Sequence, residues 1–336
     1  MIEVLITIPF SDEILSQLRN VSNRLQITAI KASKVEDIPP EVWQKTEILY
    51  TAWVVPPPAL APRLRWIQFH WAGIEHIIHE PILHQPDLVI TTLSGVVASK
   101  IAEFTLMLLL ASGLRFPALL ESQRKMEWPR DKWERFTPQE LSESTVGIVG
   151  YGSIGRQIAR LLKEFGTTVL AIKRDAMHPE DPGYIPQGQG DPGGDFVHRL
   201  YPPQALRSML KECDFVIITV PLSQETRSLI GATELAACKP NAYLINVSRG
   251  DVIDTIALVE ALREGKLACA ALDVFPEEPL PADHPLWKLP NVILTPHIGG
   301  NTPHYNARAA RLFCENLSRY LAEQPLYNIF NLEKGY

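Results

Sequence analysis

Three side chains with useful chemistry stand just beyond strand-like runs in the second half of the chain. Arg249 follows AYLINVS, Glu278 follows ACAALDVFPE, and His297 follows VILTP. Parallel α/β sheets bind ligands outside the carboxyl ends of their strands, so the three can converge there. Their chemistry is complementary. A guanidinium holds a carboxylate through two hydrogen bonds. An imidazole titrates near neutrality and can give a carbonyl oxygen its proton. A carboxylate beside the imidazole orients the ring and favours its charged form. Together with a hydride from a cofactor, this is the equipment for reducing a 2-keto acid. Plainer roles exist for each residue taken alone: a surface ion pair for Arg249, a solvated turn for Glu278, a turn cap for His297. Glu277 competes with Glu278 on spacing.

The hydride needs a carrier. Gly150, Gly152 and Gly155 form GYGSIG between the strand-like TVGIVG and a helix-like run. In that context the glycines allow a tight turn, a close approach to pyrophosphate, and close packing of helix on strand. The Ser153 and Ile154 amides then meet phosphate at the helix N-terminus. An acid that bonds an NAD ribose is expected at the end of the next strand. Lys173 and Arg174 stand there instead, followed by Asp175. Two cations attract a 2′-phosphate, which favours NADP(H) over NAD(H). Asp175 keeps the ribose role open.

These residues need a frame of alternating strands and helices, and the chain supplies one. IEVLITI, LQITAI, EILYTA, LRWIQF and LVITTL read as strands of a first α/β unit, broken by Pro56, Pro57 and Pro58. Ser11 is placed to cap its first helix. An apolar helix runs from Ala98 to Arg115. A second α/β unit begins at TVGIVG, its first helix closing at Gly166. Residues 176–203 read as one long loop rich in Gly, Pro and Asp. FVIITVP, AYLINVS, ACAALDV and VILTP read as buried strands. A final amphipathic helix returns to the first unit.

Composition narrows the class. With 336 residues the chain has room for two domains. A net charge of -6 argues against a nucleic-acid surface. The longest apolar stretch, Phe104 to Leu114, is too short to span a bilayer. Met1–Glu13 lacks a basic leader, so the expected location is cytoplasmic. Cys213, Cys238, Cys269 and Cys314 are scattered without a CxxC pair and read as reduced, buried thiols. No metal site is expected.

With these motifs in order, the chain resembles the D-isomer-specific 2-hydroxyacid dehydrogenases, the group of glyoxylate/hydroxypyruvate reductase and phosphoglycerate dehydrogenase. The matching strings are TVGIVGYGSIGRQIARLLKEFG, VPLSQETRSLIG, NVSRGDVID, AALDVFPEEPLP and NVILTPHIGGNT, with 29 positions from Arg249 to Glu278 and 19 from Glu278 to His297. The resemblance implies a Rossmann-type dinucleotide domain over residues 99–297. It also implies a flavodoxin-like substrate domain from 1–98 and 298–336, with a cleft between the two. Arg249 then binds substrate, His297 is the catalytic histidine, and Glu278 rather than Glu277 is its acid. Asp273 is matched to the nicotinamide carboxamide, Val220 and Pro221 to the cofactor, and the backbone of Ala72 and Gly73 to the substrate carboxylate. A homodimer built on the long helix is implied as well.

The expected activity is NADPH-favouring reduction of a small 2-keto acid to the D-2-hydroxy acid. Two alternatives stand beside it. One is an NAD-dependent dehydrogenase of a larger substrate such as 3-phosphoglycerate, with Arg63, Arg65 and Lys100 as phosphate candidates. The other is a dinucleotide-sensing protein like the corepressors built on this fold.

Overall fold

A computed structural model of the chain describes residues 1–181 and 183–335. They fall into two compact units, Met1–Val97 with Thr302–Tyr336, and Ala98–Asn301.

The first unit contains β1 (Ile2–Ile6), α1 (Asp12–Arg19), β2 (Leu25–Ala29), α2 (Pro40–Lys45), β3 (Ile48–Thr51), β4 (Trp66–Phe69) and β5 (Val89–Thr91). Its strands are parallel and lie in the order β2-β1-β3-β4-β5, the flavodoxin-like order. Ser11 caps α1, accepting from the Ile14 amide, with Asp12 and Glu13 in the positive first turn. One apolar face of the sheet packs against Leu15 and Leu18 of α1 and against Phe313 and Leu317 of the C-terminal helix.

Just past β4, His70 is 7% exposed and ringed by Phe10, Tyr50, Trp71 and Tyr305 at centroid separations of 5.1–6.0 Å. Its Nδ1 shares a 2.7 Å hydrogen bond with the Tyr50 hydroxyl, and Tyr305 donates to its carbonyl. Burial lowers the imidazole pKa from 6.5 to about 4. Because the folded value lies below the unfolded one, the unfolded chain takes up the proton first as pH falls. The contribution is therefore complete above pH 6.5 and is lost as pH falls towards 4. Linkage gives a loss of about 2 kcal/mol between pH 7 and pH 5 from this residue. Urea denaturation at the two pH values checks it: in His70→Asn the pH dependence is shallower by that amount, whatever the variant's absolute stability.

The second unit opens with α3 (Ala98–Gly113), α4 (Phe116–Arg124) and α5 (Lys132–Arg135). The Rossmann core follows: β6 (Thr145–Val149), α6 (Ser153–Lys163), β7 (Thr168–Ile172), β8 (Arg199–Tyr201), α7 (Leu206–Leu210), β9 (Phe215–Ile218), α8 (Ala232–Ala237), β10 (Ala242–Asn246), α9 (Thr255–Arg263), β11 (Leu267–Leu272) and β12 (Val292–Leu294). The last helix among the described residues, α10 (Tyr305–Leu321), belongs to the first unit. All seven strands are parallel, in the order β12-β11-β10-β9-β6-β7-β8. Chain direction across the sheet reverses between β6 and β9, which makes their carboxyl ends the crevice of a doubly wound sheet. Ala102, Phe104 and Leu108 of α3 and Ile158 of α6 cover one face, and α7, α8 and α9 cover the other.

One element departs from the sequence expectation. Residues 199–201, inside the expected loop 176–203, form β8 and pair with β7. An edge strand of three residues, only one of them buried, carries too little alternation to register as a strand. Gly166 closes α6 at φ +69°, with its amide on the Lys163 carbonyl and the Thr167 amide on Leu162. That is the helix ending in which only glycine is at ease.

Residues 176–181 and 183–198 are folded onto α6. Arg156, 1% exposed, sends its guanidinium to the carbonyls of Asp191 and Pro179 and lies 3.2 Å from the Asp181 carboxylate. Asp191 accepts from the Tyr151 hydroxyl and from the Asp195 and Phe196 amides, and the Gly190 amide donates to Gln157. Elsewhere the four cysteines are free, and burial pushes the Cys213 thiol up to about 12 and the others to about 11. None is a ready nucleophile.

Candidate active site

The glycine turn sits at the strand-order reversal. Gly150 has φ +112°, and a Cβ there would lie 2.8 Å from the Val220 amide nitrogen. Gly155 packs so closely that a Cβ would meet the Gly150 carbonyl at 2.4 Å. Gly152, the N-cap of α6, has nothing within 4 Å of its Cβ position. Two glycines are thus required by the protein itself, while the third leaves open space at a helix N-terminus, the cradle a pyrophosphate needs. Thr219 ties β9 to the turn, its hydroxyl donating to the Gly150 carbonyl at 2.6 Å. Val220 and Pro221 follow at the crevice.

At the end of β7 the charges are already engaged. Lys173 turns its ammonium to the carbonyls of Asp175 and His178, and Arg174 pairs with Glu225 at 2.7 Å. Asp175 accepts from the Met177 and His178 amides and from the His178 ring, contacts that hold its carboxyl below the usual range. The Asp175 carboxylate thus serves its own turn.

Arg249, Glu278 and His297 follow β10, β11 and β12, three adjacent strands. The geometry welds their turns together. Asn246, 1% exposed at the end of β10, donates to the Arg249 carbonyl at 3.0 Å and accepts from the Ser248 amide and hydroxyl. This folds the turn that presents Arg249, whose guanidinium also bonds the Ser248 carbonyl at 2.9 Å. Gly250 next to it lies against the Phe275–Pro276 backbone, where a Cβ would fall 2.0 Å from the Phe275 carbonyl carbon. Glu278 accepts from the Phe275 amide through Oε1 at 2.9 Å and holds His297 Nδ1 at 2.7 Å through Oε2.

His297 adopts φ +52°, a left-handed conformation uncommon for a residue with a Cβ and often found where function demands it. Asp273 holds that turn in place. It is 2% exposed and accepts from the Thr295 hydroxyl and from the Ile298 and Gly299 amides. Nδ1 is thus committed to Glu278, and Nε2 is the ring nitrogen left to exchange a proton. The arrangement can bind a carboxylate at Arg249 and deliver a proton from His297, both on one sheet edge.

Sequence reasoning passed over Asn246 and Gly250. A buried Asn at a strand end and a Gly after the substrate arginine were visible as types, but their partners lie in neighbouring turns. In the first unit, Ala72 is exposed and Gly73 partly so, on the loop after β4. The same loop carries Trp71, whose ring meets Trp53 at 5.3 Å. Arg63 and Arg65 precede β4, at the opposite edge of the sheet from that loop. No three metal-ligating side chains cluster among the described residues.

Comparison with known proteins agrees with this architecture. A family model described as "D-isomer specific 2-hydroxyacid dehydrogenase, NAD binding domain" matches residues 106–299. A glyoxylate reductase of Thermococcus litoralis is 35% identical over 275 residues, covering 81% of this chain and 78% of that one. A D-3-phosphoglycerate dehydrogenase of Methanocaldococcus jannaschii is 34% identical over 273 residues, 81% of this chain but only 48% of that longer protein. Among solved structures, a D-isomer specific 2-hydroxyacid dehydrogenase from Xanthobacter autotrophicus Py2, in complex with NADPH and MES, superposes with a TM-score of 0.79. It is 27% identical, and 99% of each chain is covered.

Proposed function

Because the chain belongs to the D-isomer specific 2-hydroxyacid dehydrogenases, we propose that it reduces a small 2-keto acid, of the glyoxylate or hydroxypyruvate kind, to the D-2-hydroxy acid, with NADPH favoured. The observation that carries this is the Glu278–His297 pair on turns locked to that of Arg249.

Arg249 takes the substrate carboxylate through its guanidinium fork. His297 holds a proton at Nε2 and gives it to the keto oxygen. Glu278 fixes the ring plane and keeps the Nδ1 proton facing inward. Asp273 holds the His297 turn and retains one lone-pair direction for a carboxamide. Gly152, Ser153 and Ile154 cradle the pyrophosphate, with Val220 and Pro221 beside it. When bound, the dinucleotide supplies the hydride. NADPH is favoured because Asp175, the acid after β7, is engaged by its own turn and by the His178 ring, and Arg174 lies there to meet a 2′-phosphate. The NADPH complex of the Xanthobacter relative supports this choice.

Placement at the wrong edge of the sheet weakens Arg63 and Arg65 as ligands for a phosphorylated substrate. We also assign a cytoplasmic homodimer. Met107, Leu114, Phe116, Met126, Trp128 and Trp133 are 45–93% exposed along α3 to α5, apolar side chains that a second subunit can cover. Light scattering of the purified protein tests the dimer.

The activity is tested by initial rates of reduced-nicotinamide consumption with glyoxylate, hydroxypyruvate and pyruvate, each with NADPH and NADH. Turnover with NADPH ahead supports the whole proposal. NADH ahead keeps the enzyme and overturns the cofactor. Dinucleotide binding without any turnover favours the sensor.

A further inference from the structure

The strand order places β6 between β7 and β9, so the segments after β7 and β9 flank the glycine turn. Arg174 belongs to the first segment and Glu225 to the second. Their ion pair, 2.7 Å from guanidinium nitrogen to Oε2, joins the two sides of the crevice. The side chains are 49% and 76% exposed, so the pair is weak and a ligand can open it.

The neighbouring charges are differently placed. Lys173 is tied to two carbonyls at the head of the 176–198 segment, and Asp175 to its own turn. Glu225 is anchored by its backbone. The Thr226 hydroxyl donates to the Pro221 carbonyl at 2.6 Å and accepts from the Ser223 amide at 2.8 Å. The closed turn keeps the Glu225 backbone beside Arg174, so the carboxylate stays within reach of the guanidinium even when the pair opens.

We propose that Glu225 is a specificity-determining residue of the cofactor site: its carboxylate competes with a ribose 2′-phosphate for the Arg174 guanidinium. A dinucleotide without the 2′-phosphate leaves the pair intact. One with it must displace Glu225, and the carboxylate left behind repels the phosphate. Glu225 therefore tempers a preference that Arg174 creates. This rests on the cofactor assignment made above.

Calorimetric titration with adenosine 2′,5′-bisphosphate and with 5′-AMP tests it without recourse to turnover. Glu225→Gln is expected to tighten bisphosphate binding about fivefold while 5′-AMP affinity stays within about twofold. Arg174→Gln is expected to weaken bisphosphate binding about tenfold or more, again with 5′-AMP little changed. If Arg174→Gln leaves the ratio of the two affinities unchanged, the cofactor assignment fails. If Arg174→Gln lowers the ratio but Glu225→Gln does not raise it, Glu225 is a bystander and the present proposal alone fails.

Discussion

His297→Asn is expected to lose about two to four orders of magnitude in turnover, the usual contribution of a positioned acid or base. Asparagine is chosen because His297 sits at φ +52°, and asparagine tolerates that conformation better than alanine. The turn that Asp273 holds through the Ile298 and Gly299 amides should then survive. What is removed is the Nε2 proton and the partner of Glu278. Cofactor binding is carried mainly by the glycine turn, and the Asp273 contacts are kept with the turn, so dinucleotide affinity is expected to change by less than about twofold. Steady-state rates and a fluorescence titration of the dinucleotide separate the two effects. Turnover within tenfold of the parent, with the same pH profile, would remove His297 from the mechanism.

The largest stability loss is expected at Arg156. Its guanidinium donates to two carbonyls and pairs with a carboxylate from a position 1% exposed, so replacement by methionine leaves two acceptors without their donors and a carboxylate without its counter-charge. Removing one member of a buried pair typically costs about 3–5 kcal/mol. Asp181 is 22% exposed and regains some hydration, which brings the expected loss for Arg156→Met to about 3 kcal/mol. Lysine does not rescue it, because a single ammonium cannot reproduce the planar fork. Denaturant titration measures the loss. Amide exchange locates it: protection is expected to fall first across residues 183–196, with β10 to β12 unaffected. A stability change below about 0.5 kcal/mol with unchanged exchange would mean that the segment is held by Asp191 and Tyr151 alone.

Both expectations combine features legible along the chain with features that are not. The glycine turn was legible because its demand is local: Gly150 needs a positive φ, and Gly155 a bare Cα against the preceding strand. Helix ends at Ser11 and Gly166 were legible for the same reason. The alternation of apolar strands with helices gave the α/β class, since burial on both faces leaves a continuous hydrophobic run. Glu278 could not be separated from Glu277 by such means. Both lie in one turn, and only resemblance favoured Glu278, which the structure places 2.7 Å from the His297 ring.

By itself, then, the sequence determined the parallel α/β layers, the nucleotide turn and the set of reactive side chains. Each of these depends on neighbours within a few residues or on side-chain type. Tertiary structure alone decided what those side chains face. Arg174 was a cation at a strand end until the fold brought Glu225 beside it from 51 residues away. Arg156 was a helix residue until Asp191, 35 residues on, closed over it. Likewise β8 needed β7 beside it to be a strand, and Gly250 needed the Phe275 backbone to make a side chain intolerable. Electrostatics and steric exclusion act through space at a few ångströms, so residues distant in the chain determine them, and periodicity and propensity carry no record of that distance.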